Sequence, residues 1–299
     1  EPKSATTVLL PFVKNKIDKE VVRKYTGLSY DPEFTTGPRD LTCFHHPQKK
    51  HKTFVLGLGE SKDQPKSYLF YRSFVHQQKT KGDLKLCVLC DHLDDDQLTN
   101  AVIGLRKGLL NIGTFKTNGT KTTEPDITIV VNRKRFALAN EALETVETQL
   151  GVMYLVDHPS NIKTPTFMAS YARNSGKKHG FDVKVFELKD LKKMKMDALM
   201  SVGQGSANPP MLIVMEYKPK GKRAGKPRLG LVGKGISFDT GGISIKPSAN
   251  MGYMKCDMAG AAAVIGAVEL AARLKLNIHI VGVVPAAENS VDANSIRPG

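Results

Sequence analysis

Short apolar runs alternate with amphipathic stretches along most of the chain. Residues 6–12, 53–59, 84–90 and 126–131 are apolar enough, and short enough, to read as strands. Residues 14–26 are polar and amphipathic and predict a short helix. Residues 98–110 predict another, and Asp94, Asp95 and Asp96 at its start suit the positive end of the helix dipole. The same triplet could be read as a metal cluster, but N-terminal capping is the preferred reading. This alternation predicts a small α/β domain over residues 1–132. Phe136, Leu138, Ala142, Leu143, Val146, Leu150 and Met153 recur at helical spacing, so residues 133–158 form a linking helix and the turn that ends it. A second α/β domain over residues 159–299 starts with a helix at 167–176 and strands at 182–186 and 211–217. A glycine loop spans 199–210, a basic hairpin or loop 218–226. A strand at 229–232, a helix rich in small residues at 259–274 and a buried strand at 277–284 complete it.

Charge adds one feature. The chain has 44 Lys and Arg against 29 Asp and Glu, a formal net charge of +15, with clusters at Lys49-Lys50-His51-Lys52, Lys177-Lys178-His179, Lys192-Lys193 and residues 218–228. A basic surface attracts phosphate backbones and anionic lipid. The basic runs are not interleaved with aromatic residues and match no nucleic-acid-reading module. Nucleic-acid binding is therefore expected to be weak, sequence-indifferent and confined to low salt. No apolar run approaches the roughly 18 residues of a membrane span.

The four cysteines are too few and scattered for a disulfide framework, which points to a reducing, intracellular setting. Cys87 and Cys90 have C-x-x-C spacing, but residues three apart on a strand face opposite ways. They are expected to be buried structural cysteines. None of the eight histidines has metal-ligand spacing on a helix; His158, in the turn after the linking helix, is expected to make a turn hydrogen bond.

Residues 229–263 carry the densest candidate chemistry. The apolar run Leu229–Val232 ends at Gly233-Lys234-Gly235, where the glycines permit a tight turn that projects Lys234. Asp239 falls in Phe238-Asp239-Thr240-Gly241-Gly242, Lys246 precedes Pro247, and Asp257 lies just before the small-residue run 259–263. Two lysines and two aspartates thus sit on the connections of an α/β sheet, where sites commonly form. Carboxylates on adjacent loops can converge on hard or borderline cations; a lysine beside them can ligate when neutral or stabilise developing negative charge when protonated. On spacing alone, two loop salt bridges explain the residues equally well. A phosphate-loop reading is weak, because the motif needs four residues between its glycines and a Ser or Thr where Gly235 stands.

The run Val232-Gly233-Lys234-Gly235-Ile236-Ser237-Phe238-Asp239-Thr240-Gly241-Gly242-Ile243-Ser244-Ile245-Lys246-Pro247, followed by Met254-Lys255-Cys256-Asp257-Met258-Ala259-Gly260-Ala261-Ala262, resembles the signature of the leucyl aminopeptidase family, the M17 cytosol aminopeptidases. Only Ala259 departs from it, a small residue where the family has glycine. Weaker agreement extends over most of the chain. The resemblance implies a larger α/β metallopeptidase domain following the small N-terminal one. It implies Lys234, Asp239 and Asp257 as metal ligands, Lys246 as the catalytic lysine that polarises the scissile carbonyl, and Met254 as lining for the substrate's first side chain. With Lys234, Asp239, Lys246 and Asp257, Met254 would form the substrate site. Two divalent ions, of the zinc, manganese or magnesium class, would activate water to remove an N-terminal, preferably apolar, residue from peptides. Lys234 must be neutral to coordinate, a state that burial and nearby dications both favour. A cytoplasmic homohexamer without membrane attachment is also implied.

The family's second motif, which brings two more carboxylates and a catalytic arginine, has no counterpart in residues 1–299. The resemblance therefore implies a C-terminally shortened chain, inactive by itself. Its incomplete sheet would leave an unpaired edge near residues 277–284 beside exposed apolar surface. A noncatalytic structural member and a basic DNA-binding protein on the same fold remain the alternatives.

Overall fold

The computed structural model describes residues 6–29, 33–81, 84–111, 115–116, 125–219 and 229–299. Most of the predicted basic segment 218–226 lies outside them. The chain divides into two compact units, Glu1–Glu147 and Thr148–Gly299.

The first unit is built on β1 (Thr7–Phe12), β2 (Leu41–His45), β3 (Lys52–Gly57), β4 (Lys85–Leu89) and β5 (Asp126–Val130), in the order β2-β3-β1-β4-β5. Neighbours from β3 to β5 are parallel; β2 joins antiparallel at the edge. Every residue of β1 is buried, because helices cover both faces. Leu9, Leu56, Leu86 and Val88 pack with Phe74 and Leu105 of helices α2 (Tyr68–Gln78) and α3 (Asp95–Gly108). Val8, Leu10, Phe12 and Val55 form the other layer with Val22 of helix α1 (Lys19–Thr26). Strand alternation also separates the two cysteines: both are buried, Cys87 in the α1 layer and Cys90 in the opposite one. Burial pushes the Cys90 thiol up to about 12, the behaviour of an inert core residue.

Asp94 caps α3, as its charge pattern predicts: its carboxylate accepts the Gln97 N–H at 2.9 Å, and the Gln97 side chain accepts the Asp94 N–H. Helices α2 and α3 approach closely because residue 104 is glycine; a Cβ there would stand 2.3 Å from the Tyr68 carbonyl oxygen.

Helix α4 (Phe136–Asp157) runs on past the end of the first unit and falls within the predicted 133–158, with a short tight turn at Arg133–Arg135 before it. His158, just after it, is buried, and its Nδ1 meets the Tyr154 carbonyl at 2.7 Å, the expected turn contact. The second unit continues with α5 (Pro165–His179), β6 (Asp182–Phe186), α6 (Leu188–Lys193), α7 (Asp197–Val202), β7 (Met211–Tyr217), β8 (Leu229–Val232), β9 (Gly235–Asp239), α8 (Ala259–Arg273) and β10 (Ile280–Asn289). Its sheet runs β6-β7-β10-β8, with β9 also on β10. The small residues of α8 permit the close packing expected of them: Ala261, Ala262, Ala271 and Ala272 are buried against Met168, Ala172, Ile213 and Val284.

One expectation is overturned here. Residues 277–284 do not leave an open edge; β10 is a central strand, antiparallel to β7 and parallel to β8 and β9. It continues beyond Pro285 because that proline falls opposite the interruption between β8 and β9: Val283 pairs with Val232, and Ala286 with Gly235. A residue without an N–H costs least where the ladder is already broken. Exposed apolar side chains occur at Val232, Ile243, Ile245, Tyr253 and Ile296; of these five, Val232 alone is paired with residues 277–284.

Candidate metal and substrate site

Lys234 lies in the break between β8 and β9. Its backbone is fixed there, since the Ala261 N–H in the first turn of α8 donates to the Lys234 carbonyl at 2.9 Å. Gly233 makes this approach possible; a Cβ on it would come within 2.5 Å of the Gly260 carbonyl oxygen. The lysine side chain extends toward Asp257, which ends the tight helical turn Met251–Cys256 just before α8. Lys234 Nζ is 3.0 Å from Asp257 Oδ2, within ion-pair range but not aligned as a hydrogen bond. That buried oxygen has no hydrogen-bond partner among the described residues. The burial expected around Lys234 is not found: its side chain is 59% exposed.

Asp239 closes β9 and is far more tightly held. Its Oδ1 accepts from the Asn289 side chain at 2.7 Å and from the Gly241 N–H at 3.0 Å, and its Oδ2 takes the Lys246 ammonium at 2.5 Å. Burial alone would raise its pKa. The hydrogen bonds from Lys246, Gly241 and Asn289, with the charge of Lys246, outweigh that and hold the carboxyl below its ordinary value. The return of the chain to Asp239 requires the turn at Gly241 and Gly242, whose φ values are +90° and +70°. A Cβ on Gly241 would strike the Ser244 carbonyl oxygen at 2.6 Å. Lys246 also points a hydrogen bond at Met254 Sδ, 3.2 Å away, so one ammonium connects the end of β9 to the turn that carries Asp257.

All five residues singled out in the sequence therefore belong to contacts of this one region: Lys246 with Asp239 and Met254, and Lys234 with Asp257. In kind, the donors suit a divalent cation: two carboxylates, one presenting a buried oxygen that no hydrogen bond satisfies, and an amine beside it. In number they are few, since no group of three or more His, Cys, Asp or Glu side chains is placed to hold a metal among the described residues.

Two supporting residues escaped the sequence reading. Asn289 orients Asp239 from the neighbouring strand. Glu288 is fully buried, accepting from Ser206 at 2.6 Å and from the Arg297 guanidinium at 2.5 Å, with Asn208 at 3.3 Å. It ties the glycine loop and the segment after β10 to the strand beside Asp239. Gly205 lets that loop close, as a Cβ there would lie 2.2 Å from the Ser290 carbonyl oxygen. The Asn289 contact with Asp239 and the Ser206 and Asn208 contacts with Glu288 join residues far apart in sequence, and no local pattern signals them.

The catalytic domain of the cytosol aminopeptidase family matches residues 152–299, the half that contains this site. A probable cytosol aminopeptidase of Chloroherpeton thalassium is 42% identical over 98% of this chain and 64% of its own length. Another, of a Geobacter species, is 50% identical over 48% of this chain and 29% of its own. The fold is similar to that of the bottromycin maturation enzyme BotP in complex with Mn, with a TM-score of 0.78 and 25% identity, over 98% of this chain and 62% of that one. It also resembles the cytosol aminopeptidase of Coxiella burnetii, with a TM-score of 0.74 and 22% identity, over 100% and 62%. The chain thus spans less than two thirds of the length of these relatives. With the signature run, the site built from it and these matches in agreement, the chain belongs to the cytosol aminopeptidase family.

Proposed function

We propose that this chain carries part of the active site of a metal-dependent aminopeptidase that removes N-terminal, preferably apolar, residues from peptides. The observation that carries this reading is the buried Asp257 oxygen that lacks a hydrogen bond and faces an amine. Lys234, 3.0 Å away, balances its charge without an aligned hydrogen bond, so this oxygen keeps a lone pair that a divalent cation would take. Asp239, Asp257 and Lys234 are the groups that would hold metal; the Mn complex of the structural relative BotP supports a divalent ion. Two such ions would supply Lewis acidity and a water of lowered pKa.

The chain's own residues have separate tasks. Lys246 offers a fixed cationic donor to the oxyanion that develops on the scissile carbonyl. Its contact with Met254 sets that donor beside an apolar side chain suited to line the pocket for the first residue of the substrate. Asn289 and the Gly241 N–H keep Asp239 ionised and oriented. A cytoplasmic homohexamer completes the proposal, following the family resemblance.

The test is manganese binding by residues 1–299, read by electron paramagnetic resonance, with a leucyl-amide assay alongside. Weak binding of at most one ion, lost in Asp257→Ala, without hydrolysis, is the expected result, because two carboxylates do not form the two-metal clamp. Binding unchanged in Asp257→Ala would remove this residue from the site. Substantial metal-dependent hydrolysis by the 1–299 chain would mean that the ligands are misassigned.

A further inference from the structure

A cavity of about 360 Å3 opens in the first unit, at the amino-terminal ends of β1, β3 and β4, and contains none of the residues of the candidate metal and substrate site. Its size lies in the range of small-molecule pockets, about 300–1,000 Å3. The hairpin between β2 and β3 supplies the wall, with His45, Lys49, Lys50 and Lys52; Phe54 and Leu84, both buried, supply an apolar floor. No acidic side chain lines it among the described residues.

The wall is a built loop. His46 Nδ1 accepts the backbone N–H groups of Gln48 and Lys49, both at 3.1 Å, which places its ring proton on Nε2. His51 Nε2 donates to the Tyr25 carbonyl oxygen at 3.0 Å, and the two imidazole rings lie 4.9 Å apart. Burial, then the charges of His51 and Lys49, lower the His46 pKa, in keeping with an acceptor Nδ1. The hairpin thereby holds several lysines around one opening. Clustered like charges in a cleft with low-dielectric walls focus their field on an incoming anion.

Lysine ammonium groups suit phosphate as point charges, and an apolar floor suits a ring or aliphatic group. We propose that this cavity binds a small organic phosphate, of which a nucleoside diphosphate is the type: phosphates on Lys49, Lys50 and Lys52, the ring over Phe54 and Leu84. A nucleic acid is the less suitable ligand, because its phosphates follow a ridge and would leave Phe54 and Leu84 uncovered.

Isothermal titration calorimetry of the protein with ADP, inorganic phosphate, adenosine and a single-stranded oligonucleotide tests this. ADP should saturate one site and bind at least about tenfold more tightly than phosphate or adenosine alone. Lys50→Glu with Lys52→Glu, both exposed positions, should weaken ADP about tenfold or more; Lys192→Glu with Lys193→Glu, the same change in net charge placed elsewhere, should alter it by less than about twofold. Equal losses in the two double variants would reduce the effect to general charge and overturn the proposal. So would phosphate binding as tightly as ADP, or oligonucleotide binding that depends on Lys50 and Lys52 without saturable ADP binding.

Discussion

Lys246 Nζ and Asp239 Oδ2 stand 2.5 Å apart, joined by a turn whose two consecutive glycines have positive φ. The pair alone could be an ordinary ion bridge. What sets it apart is the second contact of the same ammonium, on Met254, and the orientation of Asp239 by a neighbouring strand. If Lys246 serves as an oxyanion donor, Lys246→Ala in the full-length protein lowers kcat by about 10²–10³, the scale for removing one such donor. A loss below about threefold would leave it a structural lysine.

Arg297→Ala tests the support behind the site. It strips the guanidinium from Glu288, which is fully buried. Removing one partner of a buried pair costs about 3–5 kcal/mol. Urea unfolding of the variant is expected to show a loss of that order. A loss within about 0.5 kcal/mol would mean that Ser206 and Asn208 suffice for the carboxylate, since changes of that size are typical of unburied surface positions.

Lys163 gives a pH dependence. Its side chain is fully buried, with Nζ donating to the Val156 carbonyl oxygen at 2.5 Å. Desolvation is the main cause of a pKa lowered from 10.5 to about 8; the Cys256 side chain opposes it, Lys255 adds to it and Asp157 opposes it. Between these values the unfolded chain binds more protons than the folded one, so stability rises with pH across that window. Below it, both states carry the charge and the full burial cost remains. Lys163→Met is expected to flatten this rise, seen as the difference between variant and parent unfolding curves at pH 7.5 and pH 10. Parallel curves would show that Lys163 is not the group responsible.

Gly104→Ala places a methyl group where the backbone of α2 now lies, 2.3 Å from the Tyr68 carbonyl oxygen. Overpacking of this kind costs about 1–3 kcal/mol. Thermal unfolding is expected to shift downward accordingly; an unchanged Tm would mean that α2 and α3 separate without penalty.

Much of this architecture is legible where burial is two-sided and local. β1 is a continuous apolar run because helices cover both its faces, and α3 announces its start through Asp94 and Gln97. β2 is not legible: as an edge strand it leaves Leu41, Cys43 and His45 exposed, so its sequence has no strong apolar signal. β9 reads as part of a glycine-rich turn, because its identity as a strand depends on pairing with β10. Pro285 ends the strand reading early, although opposite a broken ladder it does no harm. Within the site, the Lys and Asp residues are legible from the signature run. Asn289 is not, because its contact with Asp239 depends on strand register across 50 residues of sequence.

The most direct test of the proposed activity is hydrolysis of a leucyl-amide substrate by the full-length protein, after dialysis against chelator and with manganese restored. The account predicts turnover that disappears on dialysis, returns with manganese, and falls by at least about 10² in Asp257→Asn while the variant remains folded. Turnover that survives chelation, or that Asp257→Asn leaves intact, would contradict it.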